Sequence, residues 1–224
     1  MWDDQSEDRY QTIEFANHQL ILSGLGGIYW PGQKLLVVAD LHLEKGSYYL
    51  TRGNPLPLYD TLDTLSRLEH LVSLYNPQCL LTLGDNIHDV QAVTRMNQEN
   101  IDLLKKIRDS VSKWVWLIGN HDKHTVPKEP GLHVCTQLDI ETITFTHDLL
   151  RDKPWQILGH YHPKATIKNI SGKCFLVNNH KIILPAFGSY TGGLNIDSLD
   201  FKKIMHPEQF KAYLLNKNKV WRIR

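Results

Sequence analysis

Cysteine is scarce: the chain has only Cys79, Cys135 and Cys174, and no two of them stand at zinc-site spacing. Odd in number, far apart and each beside apolar residues, they read as reduced core thiols of a cytoplasmic protein, not as a disulfide frame. An excess of one charge is also lacking. The 25 Lys and Arg stand against 24 Asp and Glu, a formal net charge of +1, so whole-chain charge does not advertise a nucleic-acid partner. No apolar run is long enough to span a membrane. The opening residues, from Met1 to Asp8, are acidic and without an apolar centre, so residues 1–10 are expected to form a solvated tail, neither signal nor anchor. Repeats, low-complexity tracts and linkers are missing too, which points to one domain over residues 11–224. Histidine, by contrast, is plentiful and clustered. Of twelve, His42, His88, His121, His147, His160 and His162 fall within five short polar segments.

The apolar pattern places those segments. Ile13 to Leu22 reads as a hairpin, with Ile28-Tyr29-Trp30 beside it as a further edge strand before a Pro31-Gly32 turn. Leu35 to Ala39 is apolar on both faces, as an interior strand requires. Leu58, Leu62, Leu65, Leu68 and Val72 recur at helical spacing between Pro57 and Tyr75, and Ile101, Leu104, Ile107 and Val111 do so again. Between and after these helices lie the buried strands Leu80 to Leu83 and Trp114 to Ile118. Strand and helix in alternation argue for an α/β architecture with parallel neighbours. From residue 132 the rhythm changes to strand-like segments near 132–136, 140–146, 155–158, 165–170, 173–177 and 181–184. A second sheet is therefore expected, giving two packed mixed sheets with helices outside. The end, from Lys202 to Arg224, carries seven basic residues and one acid, Glu208. It reads as a helix over 207–215 and a strand through Val220, Trp221 and Ile223 with lysines on the wet face, although a basic end also attracts nucleic acid.

Five polar segments follow predicted strands: Asp40-Leu41-His42, Gly84-Asp85, Gly119-Asn120-His121-Asp122, Thr146-His147-Asp148 and Gly159-His160-Tyr161-His162. Residues two apart in a strand point the same way, so Asp40 with His42, and His160 with His162, can each clamp an ion. Carboxylate, imidazole and amide without thiolate suit Mn²⁺, Fe, Zn²⁺ or Ni²⁺ better than an all-oxygen Ca²⁺ or Mg²⁺ cage. Lys45 and Arg52, on a loop expected over the site, either contact a phosphodiester backbone or are solvated surface charges. Asp89, Asp122 and Asp148 either orient imidazoles or serve surface and capping roles.

Taken together and in order, these blocks resemble the signature of the calcineurin-like metallophosphoesterase superfamily: Asp-x-His, Gly-Asp, Gly-Asn-His-Asp/Glu, His and Gly-His-x-His. The resemblance implies an αββα sandwich holding two divalent transition-metal ions, Mn²⁺ first among them. Carried over, Asp40, His42 and His162 hold one ion, Asn120, His147 and His160 the other, and Asp85 bridges them. It further implies metal-activated hydroxide attack on phosphorus. His121 then stabilises the phosphoryl group in the transition state or protonates the leaving oxygen.

Over about residues 11 to 197 the chain is similar to a narrower group, the ligase-associated DNA damage response phosphoesterases of bacteria. The stretches that carry this run from Val38 to Gly46, Gly159 to Pro163 and Ile183 to Gly193. This likeness implies a phosphodiesterase or nuclease acting on DNA or other nucleic acid, with a repair ligase or helicase as a partner by resemblance only. His88 stands where many superfamily members have Asp, and is grouped with Lys45 and Arg52 as a substrate contact. Thr-His-Asp replaces the narrower group's frequent His-Glu-Pro at His147. Two other readings stay open: a phosphatase or small-nucleotide phosphohydrolase, and a catalytically silent scaffold of the same fold. The oligomeric state is not legible.

Overall fold

A strand apolar on both faces is stable only when covered on two sides, and Leu35-Leu36-Val37-Val38 is such a strand. In the computed structural model, which describes residues 10–54, 56–122, 132–206 and 209–224, all four side chains are buried. Before them runs an antiparallel meander, β1 (Tyr10–Phe15), β2 (His18–Ser23) and β3 (Ile28–Trp30), which leads into β4 (Leu35–Val38). Helical crossovers follow. Helices α1 (Lys45–Thr51) and α2 (Asp60–Tyr75) lead to β5 (Cys79–Thr82), and α3 (Ala92–Arg95) and α4 (Gln98–Asp109) lead to β6 (Lys113–Leu117). With β7 (Leu132–Cys135), these strands form a seven-stranded sheet in sequence order, parallel from β4 to β7.

The second sheet is built from β8 (Gln137–Ile140), β9 (Ile143–Thr146), β10 (Gln156–Leu158), β11 (Pro163–Ile167), β12 (Ile170–Val177), β13 (Lys181–Ile183) and β14 (Leu194–Asn195). Helix α5 (Leu199–Met205) then precedes a final hairpin, β15 (Lys211–Asn216) and β16 (Lys219–Arg222), which joins the sheet through β12. The sheet is mixed, with β9, β10 and β13 parallel.

The period of two in the strands sorts side chains into layers. Leu35, Val37 and Ala39 face Phe145, Ile157 and Phe175 between the sheets, while Leu36 and Val38 face Leu65, Leu68 and Leu71 of α2. On the far side, Leu158, Leu176 and Ile183 pack against Phe201 and Met205 of α5. Burying each leucine contributes about 1.5–3 kcal/mol, so packing rather than propensity holds α2 in place. The order is helix, sheet, sheet, helix, the α/β sandwich expected. No helix among the described residues is long and apolar enough to cross a membrane.

Several elements differ from the sequence reading. The helix expected over 207–215 is absent where the structure describes it: Lys211–Asn216 is strand, and the helix lies earlier, at Leu199–Met205. Ala212 and Leu214 turn toward α5 while Tyr213 and Leu215 turn toward the inter-sheet core, and so short an apolar run fits either period. Lys217 and Asn218, with φ of 50° and 60°, form the primed turn that hairpins favour. Pro207 and Glu208 lie outside the described residues, as do residues 1–9 of the expected tail; Tyr10 already begins β1. The stretch 140–146 is the end of one strand and the whole of the next, reversed at Glu141. The loop expected at Lys45 to Arg52 is helix α1, with Arg52 as its C-cap.

Candidate metal centre

Chemistry-bearing segments follow five strands: β4, β5 and β6 of the first sheet and β9 and β10 of the second. Their backbone is not extended there. Asp40, His42, Asp85, His160 and His162 all adopt left-handed φ, between 45° and 68°, a conformation that costs a non-glycine residue about 1–2 kcal/mol. The expected pairing of side chains two apart holds for Asp40 with His42, but for a different reason, and it does not hold for His160 with His162, which turn to different donor groups. Asp40 and His42 alternate with Leu41 and Leu43, which are 1% exposed and packed in the α2 layer. The leucines anchor the segment and the left-handed turns aim the polar pair away from them. Hydrogen bonds from Asp40 N to Gly84 O (3.1 Å) and from His42 N to Asp85 O (2.8 Å) tie this segment to the next.

The donor atoms converge in two groups that meet at Asp85. In one, His162 Nε2 lies 3.4 Å from both Asp40 Oδ1 and His42 Nε2. In the other, His147 Nε2 lies 3.5 Å from Asp85 Oδ2 and 3.1 Å from His160 Nδ1, and the Asn120 amide reaches His160 Nδ1 at 3.3 Å. His42 Nε2 is 3.9 Å from Asp85 Oδ2. The sets Asp40, His42, His162 and Asp85, His147, His160 could each hold a metal ion, as could His42, Asp85, His121. Two ligands on one ion at bond lengths of about 2.1 Å stand roughly 3.0–3.4 Å apart, so the facing imidazole nitrogens are spaced as shared donors. The donor set fits a borderline divalent ion.

The rings are prepared for that role. His147 Nδ1 donates to Leu83 O at 2.8 Å, which leaves Nε2 as the free lone pair. Burial, and then His162, pushes the His42 pKa far down; burial, and then His147, lowers that of His160. Burial, with Lys45 next, brings His88 down to about 4. These rings are therefore neutral at pH 7. In the unfolded chain they return to about 6.5 and bind protons that the fold refuses, so stability rises with pH across that window. The metal-free protein is expected to lose stability as pH falls below about 6.5, the His88 share being fully lost near pH 4. Its melting temperature in chelator should drop by several degrees between about pH 7.5 and pH 5; a flat profile would contradict these shifts.

Asp122, fully buried, is turned to backbone and amide donors. Its carboxylate accepts from Asn86 N (3.1 Å), Asn86 Nδ2 (2.9 Å), Ile87 N (3.1 Å) and Gly119 N (3.3 Å), clasping the loop that carries Asp85. Asp89 pairs with Arg95, and Asp148 accepts from Tyr161 Oη and Leu149 N. The clasp between Asn86 and Asp122 had no signal in the sequence beyond Gly-Asn-His-Asp itself. Gly119 completes it. A Cβ at this position would overlap Asp85 N and Oδ1. Gly119→Ala is expected to cost about 1–3 kcal/mol of stability and to weaken Mn²⁺ binding; unchanged denaturant unfolding and metal titration would refute this.

At the mouth, Asn120 and His121 are exposed. His121 Nδ1 donates to His88 O at 2.8 Å and its backbone N–H donates to Asp85 Oδ1 at 2.9 Å, so Nε2 is the nitrogen left for a ligand. The His88 ring is stacked on that of His121, centroids 5.2 Å apart, and Tyr48 of α1 meets its other side at 4.6 Å. Lys45 is half-buried, and burial lowers its pKa against the opposing charges of Asp60 and Asp85. Arg52 lies exposed, 4.5 Å over the Tyr48 ring. Thus the structure brings Lys45 and His88 to the centre and sets Arg52 at its rim. Tyr48 carries no signal in the sequence, where its segment reads as loop; only helix α1 brings its ring onto His88.

Comparison with known proteins identifies the family and a structural relative. The family model described as calcineurin-like phosphoesterase matches residues 33–221. Among solved structures, the chain is similar to the crystal structure of Pseudomonas putida nuclease MPE, with a TM-score of 0.76 and 26% sequence identity over 96% of this chain and 100% of that one. No curated protein matches it.

Proposed function

The chain belongs to the calcineurin-like phosphoesterase family and is a metal-dependent phosphoester hydrolase, and from that premise we propose that it cleaves phosphodiester bonds of DNA or other nucleic acid with a dinuclear metal centre. The observation that carries this reading is the sharing of Asp85 between two histidine-rich donor groups. Asp40, His42 and His162 would hold one ion, Asn120, His147 and His160 the other, and Asp85 would serve both; Mn²⁺ is the first choice, with Fe, Zn²⁺ or Ni²⁺ as alternatives. Such ions, when bound, withdraw charge from phosphoryl oxygens and acidify a water.

The protein's own groups do the rest. His121, held through Nδ1–H by the His88 carbonyl, acts in its imidazolium form: it presents Nε2–H to the leaving oxygen, delivers that proton there and is left as the neutral Nδ1–H ring. Lys45 attracts the phosphodiester anion, and Arg52 and His88 contact its flanks. Support for a polymeric substrate comes from the nuclease among its structural relatives and from the exposed mouth at Asn120 and His121. Repair of DNA in the cytoplasm, beside a ligase or helicase, is the setting that the ligase-associated resemblance implies.

A phosphomonoesterase would use the same donors, so substrate choice is the test. With Mn²⁺ present, bis-p-nitrophenyl phosphate should be hydrolysed faster than p-nitrophenyl phosphate, chelation should stop both, and DNA should be cut. Preference for the monoester would overturn the phosphodiesterase reading. Mn²⁺ binding with no turnover of any phosphoester would favour a silent scaffold.

A further inference from the structure

The loop over 185–193 contributes no metal-ligand side chain, yet it lies directly against the segment that does. Phe187 N donates to Ala39 O at 2.7 Å and Gly188 N donates to Asp40 O at 3.0 Å. The approach is so close that a Cβ at Gly188 would overlap the Leu41 carbonyl. The carbonyls of the same two loop residues each meet a cation. Arg67 Nη2 of α2 donates to Phe187 O at 2.8 Å, and Lys173 Nζ of β12 donates to Gly188 O, which also accepts from Thr191 Oγ1 at 2.8 Å. Each of these two residues is thus held at its carbonyl by a positive charge while its own N–H holds Ala39 or Asp40.

Arg67 is itself fixed. Its Nε donates to Asp63 at 3.1 Å, its Nη2 also donates to Ser189 Oγ at 2.9 Å, and the guanidinium lies 4.7 Å from the Phe187 ring centre. The two cations are costly to keep. Burial, then the charges of Arg67 and Lys164, brings the Lys173 pKa down to about 7; burial also lowers that of Arg67, against the opposing charge of Asp63. Apolar residues of similar volume in place of buried charges often leave a fold equally or more stable. Fold stability therefore does not account for this pair, whereas the segment they brace carries two left-handed non-glycine residues, Asp40 and His42.

We propose that Arg67 and Lys173 are positioning residues of the metal centre: through the Phe187-Gly188 backbone they hold Asp40 and His42 in the strained geometry that the first ion requires. This rests on the dinuclear reading above. The second donor group follows β6, β9 and β10 and meets the braced segment through the His160 N–H, which donates to the Asp40 carboxylate at 2.9 Å. None of its side chains is a bonding partner of Phe187 or Gly188 in the contacts above, so the two ions should respond differently to the brace's loss.

Lys173→Met keeps the aliphatic stem and removes the charge; Arg67→Met does the same on the other peptide. Mn²⁺ titration of the full-length, metal-free protein, followed by calorimetry and electron paramagnetic resonance, is the test, with thermal unfolding in chelator alongside. Wild type should take up two ions and give a spin-coupled pair. Each variant should remain folded in chelator, bind one ion as wild type does, and bind the other about tenfold or more weakly, with an uncoupled signal at two equivalents. Lys164→Met, which removes a neighbouring charge from a side chain packed on Gly193 but neither of the hydrogen bonds to Phe187 O and Gly188 O, should leave both affinities unchanged. If Arg67→Met does not fold, Arg67→Lys carries the test, since it keeps the charge and cannot reach Asp63, Ser189 and Phe187 together. Two ions bound with wild-type affinity in Lys173→Met, or equal weakening of both, would overturn the positioning role. A wild type that binds only one ion would instead overturn the dinuclear reading on which it rests.

Discussion

Asp85→Asn should lower turnover roughly 10³-fold or more, a loss of about 4 kcal/mol or more of transition-state stabilisation, and should weaken both metal ions at once. The carboxylate is 3% exposed and its Oδ2 faces His147 Nε2 at 3.5 Å and His42 Nε2 at 3.9 Å, one from each donor group. Its other oxygen is already committed to the His121 backbone N–H. An asparagine placed there must keep its oxygen on that N–H and turn its NH₂ toward the imidazoles. It then donates where a ligand must accept, and the negative charge between the two groups is gone. The fold should survive, because the amide has the same shape and a buried carboxylate no longer needs to be desolvated. Circular dichroism unchanged, Mn²⁺ uptake lost at both positions and no hydrolysis of bis-p-nitrophenyl phosphate is the expected set. Loss of one ion only would show that Asp85 belongs to a single group. Asn120→Ala makes the useful contrast: it removes one ligand of the second group and should spare the first.

The sequence carries the site more plainly than it carries the reasons the site is held. Asp40, His42, Asp85, Asn120, His147, His160 and His162 stand in short segments that each follow an apolar strand, so local pattern locates the segments, while the family resemblance is what singles out these seven as ligands. The sandwich was legible for the same reason: apolar runs with helical or strand period are signals of length and spacing. What failed was short or distant. Lys211–Asn216 is too brief for period to decide between helix and strand. Helix α1 begins at a left-handed Glu44 without a side-chain cap, so the usual start signals are missing. The clasp of Asp122 on Asn86 joins residues 36 apart, and the grip of Arg67 on Phe187 joins residues 120 apart. Both depend on how layers stack, which no local window contains. The left-handed backbone at Asp40 and His42 belongs to this class as well, since it is tolerated only because neighbouring segments impose it.

His121→Ala should slow DNA cleavage by about 10²–10⁴-fold while leaving Mn²⁺ binding nearly intact. The substitution keeps the backbone N–H that Asp85 uses and removes only the exposed ring, whose Nδ1 is spent on the His88 carbonyl. A competing role exists on geometric grounds, because His121 also clusters with His42 and Asp85 in a set that could hold an ion. Metal titration separates the two: loss of an ion in His121→Ala would make it a ligand and sink the acid assignment. Given retained metal, the leaving group decides what the ring does. An alkoxide leaving from DNA needs a proton in the transition state, whereas a nitrophenolate leaves readily without one. If His121 is the acid, the variant should remain much closer to wild type on bis-p-nitrophenyl phosphate than on DNA. A loss equal for both substrates would mean that the ring stabilises charge on the phosphoryl oxygens, a need that does not depend on what departs.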